Sequence, residues 1–215
     1  QIDTAGALAQ AIARINALTP RPDLVVLSGD LVNAGDDAEY AHLRALLAGL
    51  AVPYATMPGN HDDRDRLRAA FPEQPWAAGT LAQQRRECAA GDLLLVDTLV
   101  PGEEAGVVGD AQLAWLDASV RAGRDALLFL HHPPVRTGIA GMDAIGLAGA
   151  EALAGWLAGR PQVRAVFCGH VHRTIFTAFA GRPLAVAPSP AHQIALDLSG
   201  DPGALAWTPE PGGML

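Results

Sequence analysis

Apolar residues recur along this chain at two spacings, and the spacing predicts its elements. Leu8, Ile12, Ile15 and Leu18 return every three or four positions, which predicts a helix over residues 3–18. Asp3 or Thr4 can cap its start, and Thr19-Pro20-Arg21-Pro22 ends it. Leu24-Val25-Val26-Leu27 is a continuous apolar run, the pattern of a strand buried on both faces, and it leads into Gly29-Asp30. After a polar loop over 33–37, a second helix is predicted over 38–50, with Tyr40, Leu43, Leu46, Leu47 and Leu50 inward. A strand over 52–57 then opens onto Gly59-Asn60-His61-Asp62.

The middle of the chain changes period. Residues 83–89 and 92–97 read as two strands of a hairpin joined at Ala90-Gly91. A glycine-rich loop over 100–108 carries Glu103 and Glu104. Asp110 is expected to cap a helix with Leu113, Leu116 and Val120 inward, ended by Gly123. Ala126 to Leu130 is another buried strand and ends in His131-His132-Pro133-Pro134. A loop with Gly138 and Gly141, a helix over 147–157 and a strand over 163–168 follow, the last ending in Gly169-His170-Val171-His172. Antiparallel strands are predicted over 174–179, 183–187, 192–198 and 205–208, with Pro209 to Gly213 as a loop or tail. Buried strands alternating with amphipathic helices imply an α/β fold, a mostly parallel sheet with helices on its faces.

The length of 215 residues suits one domain, and 50% hydrophobic residues can fill a large core. No apolar run approaches the roughly 20 residues of a membrane span, and no signal peptide opens the chain. Two cysteines, Cys88 and Cys168, make no disulfide framework, so a cytoplasmic location is expected. A net charge of −8 argues against nucleic-acid or anionic-membrane partners. Every basic residue is an arginine, which reads as coding bias rather than as a binding surface.

Four predicted strands end in metal-capable groups: Asp30, Asn60 with His61, His131 with His132, and His170 with His172. Gly-Asn-His-Asp alone could be a plain turn, with Asp62 capping a following helix. Asp, Asn, His and a His-x-His pair delivered to one sheet edge point instead to divalent ions such as Mn, Fe, Zn or Co. Two such ions about 3.5–4 Å apart form a clamp for phosphoryl chemistry. A carboxylate such as Asp30 can bridge them, and His-x-His can offer one imidazole to each.

These four motifs resemble those of the calcineurin-like metallophosphoesterases. Within them, the chain is most similar to bacterial class III cyclic nucleotide phosphodiesterases and glycerophosphodiesterases. Pro188-Ser189-Pro190-Ala191-His192-Gln193 is similar to a segment these carry near the end. The resemblance implies a four-layer sandwich of two mixed β-sheets flanked by helices, with a dinuclear site at strand C-terminal ends. It implies Asp30 as bridge, Asn60, His131 and His170 on one metal, and His172 on the other. His132 would orient or pack, His61 would contact the phosphate and protonate the leaving oxygen, and His192 would be a second phosphate contact. Asp62 and Asp63 would cap a helix or hydrogen-bond a ligand imidazole. The second metal would also take an Asp-x-His pair from a first strand that residues 1–215 do not supply. The chain is therefore expected to be a fragment of a longer one, and a homo-oligomer is compatible with it.

The implied reaction is hydrolysis of a small phosphodiester, such as a 3',5'-cyclic nucleotide (cAMP) or a glycerophosphodiester, by a metal-bridging hydroxide. A phosphomonoesterase or protein phosphatase of the same superfamily, or an inactive interaction scaffold of the same fold, are the alternatives.

Overall fold

The computed structural model of the protein describes residues 2–208. The expected tail over 209–213 lies outside them. A six-stranded sheet in the order β3-β4-β6-β8-β10-β9 forms the centre. Its strands are β3 (Gln84–Cys88), β4 (Gly91–Val96), β6 (Ala126–Leu130), β8 (Val163–Cys168), β9 (Ile175–Phe179) and β10 (Arg182–Val186). β4, β6, β8 and β10 run parallel, while β3 and β9 are antiparallel edge strands. The parallel strands need crossovers, supplied by helices α4 (Asp110–Ser119) between β4 and β6 and α6 (Ala150–Ala158) between β6 and β8.

Alternation along the strands divides the core. Leu94, Val96, Leu128, Leu130, Val166 and Cys168 face Leu116 of α4 and Leu153, Trp156 and Leu157 of α6. Leu93, Leu95, Leu127 and Phe129 face the other way and meet Val26, Ala55 and Met57. Those residues belong to or adjoin a second sheet, the parallel pair β1 (Val25–Leu27) and β2 (Tyr54–Thr56). Three helices cover its far side: α1 (Thr4–Asn16), α2 (Asp37–Leu47) and α3 (Arg64–Ala70). Ile12, Tyr40, Leu43, Leu47, Leu67 and Phe71 pack there.

The four layers are those expected, but only the larger sheet is mixed. Among the described residues the smaller one is a purely parallel pair. β1 is covered on both faces as expected, Val26 meeting the larger sheet and Leu27 the helices, but its residues are only half-buried because one of its edges is not paired with a strand among the described residues. The outer edge of β2 is closed by side chains: Gln74 Nε2 donates to the Tyr54 carbonyl at 3.3 Å and Gln84 Nε2 to that of Thr56 at 2.7 Å.

Other boundaries move for local reasons. The helix expected from 147 starts at Ala150, since Leu147–Ala148 (β7) instead pair with Gly106–Val107 (β5). Gly149 follows with φ +83°, where a Cβ would collide with the Val108 carbonyl. Asp110 lies inside α4 and does not cap it; Gly109 holds the cap position, and its N–H donates to Gln112 Oε1 at 3.1 Å. The loop after Gly138 contains a short helix, α5 (Ala140–Ala144). The last two expected strands shrink to β11 (Gln193–Ile194) and β12 (Trp207–Thr208), an antiparallel pair.

Candidate metal centre

The loops leaving β1, β2, β6 and β8 meet at one end of the two sheets. Gly29 and Asp30 leave β1 with φ +98° and +53°. A Cβ on Gly29 would strike His131 Nδ1 and the Gly59 backbone, so only glycine lets these loops close on each other. Gly169 N–H donates to the His131 carbonyl at 3.0 Å and ties the β6 and β8 loops. Asp30, His170 and His172 all hold positive φ (53°, 67° and 52°), a region that non-glycine residues occupy at a cost.

Four of the five predicted ligands converge. His131 Nε2 stands 3.3 Å from Asp30 Oδ2 and 3.2 Å from Asn60 Oδ1. His170 Nδ1 is 3.1 Å from the same Asn60 oxygen. The opposite ring nitrogens fix the tautomers. His131 Nδ1 lies 2.7 Å from the Ser28 carbonyl and His170 Nε2 lies 3.1 Å from the Ile145 carbonyl. A carbonyl only accepts, so those nitrogens carry hydrogen in the neutral rings. The lone pairs of His131 Nε2 and His170 Nδ1 are then directed at oxygens that also only accept. Such a set is satisfied by a cation, and N,O donors of this kind fit a borderline divalent ion.

A proton can take the place of that ion on His131. Burial lowers its pKa, but the adjacent Asp30 carboxylate outweighs this and the net direction is upward. For Asp30, burial is likewise outweighed by His131 and by the His61 N–H, which donates to its Oδ1 at 3.1 Å, so its carboxyl stays well below the usual range. Burial and the neighbouring His131 push His170 down to about 3, which leaves it neutral and free to coordinate.

His172 stands apart from these contacts. Its Nδ1 is 3.1 Å from His192 Nε2, and the two rings meet edge to face at 4.5 Å. Burial and His192 push His172 down to about 4. His192 Nδ1 is buried without a partner, and its ring lies 5.9 Å from that of Trp207. The exposed His61 ring is anchored by Nδ1, 3.0 Å from the Asn33 carbonyl, which leaves Nε2 free.

His131, His132 and His170 offer ring nitrogens within 4.8 Å of one another. His132 is nevertheless fully engaged, with Nδ1 2.7 Å from Thr98 Oγ1 and Nε2 3.1 Å from the Glu104 carbonyl. Its ring packs at 4.8 Å against His131 and 4.5 Å against His170. Burial and those two neighbours push it down to about 2, so it supports the cluster as a neutral spacer.

Asp62 neither caps α3 nor touches an imidazole. Asp63 is the cap, accepting from Arg66 N–H at 2.9 Å. Asp62 is buried and accepts from Gly59 N–H at 2.8 Å, Leu31 N–H at 3.1 Å and the Tyr40 hydroxyl at 2.9 Å. Burial pushes its carboxyl up to about 6. The carbonyls of Ser28 and Ile145, the Tyr40 hydroxyl and Thr98 were not legible as site groups. Only Tyr40 carried a signal, as a polar-tipped aromatic on the inward face of α2.

The chain matches the calcineurin-like phosphoesterase family over residues 2–174. It is 36% identical over 208 residues to a probable glycerophosphodiester phosphodiesterase of Arcobacter nitrofigilis, covering 94% of this chain and 75% of that protein. It is 37% identical over 216 residues to a probable cyclic nucleotide phosphodiesterase of Rhodopseudomonas palustris, covering 98% and 78%. Its fold is similar to that of a dimetal phosphatase from Danio rerio, with a TM-score of 0.69 at 17% identity over 94% of this chain and 81% of that one. Among the described residues no helix is long and apolar enough to cross a membrane. With four motif loops gathered at one sheet end and the family match running through all of them, the chain belongs to the calcineurin-like phosphoesterases.

Proposed function

We propose that this chain is a metal-dependent phosphodiesterase acting on small diesters, 3',5'-cyclic nucleotides such as cAMP or glycerophosphodiesters. The observation that carries the reading is the convergence of Asp30, Asn60, His131 and His170, whose lone pairs face one another at 3.1–3.3 Å. Calcineurin-like phosphoesterases use divalent metals. Asp30, Asn60, His131 and His170 would hold one ion, and Asp30 and His172 would contribute to a second, of Mn, Fe, Zn or Co. When bound, such ions supply positive charge to the phosphate and acidify water.

The chain's own groups do the remaining work. His61 Nε2 faces solvent beside Asp30 and delivers a proton to the departing oxygen, while the Asn33 carbonyl holds its other nitrogen. His192, with an unpartnered Nδ1 next to His172, contacts the phosphate. The net charge of −8 and the free thiols of Cys88 and Cys168 support a cytoplasmic enzyme that acts on small molecules rather than nucleic acid.

The test is metal analysis together with hydrolysis of cyclic AMP, a glycerophosphodiester and a phosphate monoester at equal concentration. Diesters should be cleaved faster than the monoester, and chelation should abolish both activities. Preference for the monoester would assign a phosphomonoesterase. Tight metal binding without any hydrolysis would make the fold an interaction scaffold.

A further inference from the structure

Glu39 lies outside the four metal-facing loops, yet it governs the loop that holds His61. It is the third residue of α2, whose cap is Asp36. Asp36 Oδ1 accepts from Glu39 N–H at 2.9 Å, one half of a capping box. The other half is different. The Glu39 side chain reaches past the cap residue, and its Oε2 accepts from the N–H groups of Asn33 at 3.2 Å, Ala34 at 2.8 Å and Gly35 at 3.0 Å. Three successive amides on one carboxylate oxygen form a nest whose geometry sets the direction of the carbonyls between them. Gly35 closes this turn with φ +70°, and Arg66 Nη1 holds its carbonyl at 2.9 Å.

The Asn33 carbonyl fixed in this way is the one that accepts from His61 Nδ1 at 3.0 Å. The backbone of His61 has a separate anchor, its N–H on Asp30 Oδ1. Ring and backbone are thus held by different carboxylates, Glu39 through Asn33 and Asp30 directly. We propose that Glu39 is a positioning residue for His61: it fixes the Asn33 carbonyl and so selects the Nδ1–H tautomer and aims Nε2 at the leaving group. This rests on the reading of His61 as the proton donor.

The experiment uses Glu39→Ala, Glu39→Asp and Glu39→Gln, each alone and in a His61→Ala background. Asp keeps an acid in the first turn of α2, which favours the helix start, but withdraws the carboxylate by one methylene. Gln keeps an acceptor oxygen at full reach. Nitrogen-15 NMR of the metal-free protein should show one Nδ1–H tautomer for His61 in the unmutated chain and in Glu39→Gln, and a mixture in Glu39→Ala and Glu39→Asp. On cyclic AMP, kcat should fall about 10-fold in the Ala and Asp variants, a part of the ~10²–10⁴-fold that general-acid catalysis supplies. KM should change less than about twofold and a nitrophenyl diester should be hardly affected, since its leaving group needs little protonation. In the His61→Ala background the Glu39 substitutions should add nothing, because the term they act through is already gone. An unchanged tautomer in Glu39→Asp, or a further loss in the double variants, would overturn the proposal. Absence of diesterase activity in the unmutated chain would instead overturn the proposed function, and the NMR comparison would still decide the positioning role.

Discussion

The Tyr40 hydroxyl donates to Asp62 Oδ1 at 2.9 Å, joining the inward face of α2 to the loop that carries Asn60 and His61. The other Asp62 oxygen collects amides from both the β1 and β2 loops, Leu31 and Gly59. One buried carboxylate therefore sets the distance between Asp30 and Asn60. Asp62→Ala would leave the Leu31 and Gly59 amides unpaired, at about 1–3 kcal/mol each, while the Tyr40 hydroxyl keeps the Asp63 carbonyl at 3.3 Å. A stability loss of about 3 kcal/mol or more is expected in chemical denaturation, with metal affinity about 10–100-fold weaker by calorimetry. Tyr40→Phe removes the bond to Asp62 and the one its hydroxyl accepts from the Asp63 N–H at 3.0 Å, and should cost about 1–3 kcal/mol.

Asn60 and His61 are neighbours to which the proposed function gives different tasks, and substitution should separate them. Asp30→Asn and Asn60→Ala should each lower bound metal, because both oxygens face the His131 lone pair. His61→Ala should retain metal and lose activity selectively, by about 10²–10⁴-fold on cyclic AMP and far less on a nitrophenyl diester. Equal fractional losses on both substrates would make His61 a phosphate-positioning group. Metal loss in His61→Ala would move it into the coordination set.

His132 depends on a glycine. A Cβ on Gly106 would collide with the His132 ring. Gly106→Ala should displace that ring from Thr98 and Glu104 and cost about 1–3 kcal/mol through overpacking. The disturbance should reach His131 and His170, against which His132 packs. Metal titration of Gly106→Ala should show weakened binding; unchanged affinity would mean that the cluster tolerates movement of His132.

Acid stability should depend on a pair remote from the site. Asp92 is buried and accepts from Arg121 Nε at 2.7 Å, Arg121 Nη2 at 2.6 Å and Arg124 Nε at 2.9 Å. The bonds from Arg121, with Arg124 behind them, hold its carboxyl below the ordinary 3.8. A folded-state pKa below the unfolded one adds stability above pH 3.8, and this is lost as pH falls through the lower folded value. Asp92→Asn should cost about 1–3 kcal/mol at pH 7. The gap to the unmutated chain should narrow as the pH is lowered below 3.8, and a gap independent of pH would exclude the ionic account.

What the sequence made legible was the backbone's punctuation. Asp30, Asn60, His131 and His170 each follow an apolar run, and their meeting needs parallel pairing within each sheet together with the packing of the two sheets, which no local pattern encodes. His172, read from the His-x-His pair and given by the resemblance to the other metal, lies beside His192, with its Nδ1 3.1 Å from His192 Nε2. The place of Asp62 is not legible locally because Asp63 satisfies the capping pattern equally well, and two of the three partners of Asp62 lie 22 and 31 residues away. Thr98 gave no signal, since its bond to His132 spans 34 residues. The start of α6 was set too early because Leu147 and Ala148 continue an apolar pattern that pairing with β5 interrupts.

The side-chain amides on β2 give the smaller sheet a direction of growth. Gln74 and Gln84 occupy the carbonyls that a neighbour of β2 would need, so any further strand must join along β1. In the observed register Val25 and Leu27 turn their backbone groups to β2, and Val26 presents its own to the opposite side. A strand laid parallel on that side would finish next to Gly29 and Asp30. The open side of β1 therefore ends where the loops of Asn60, His131 and His170 gather, so the edge of the smaller sheet and the candidate site share one boundary.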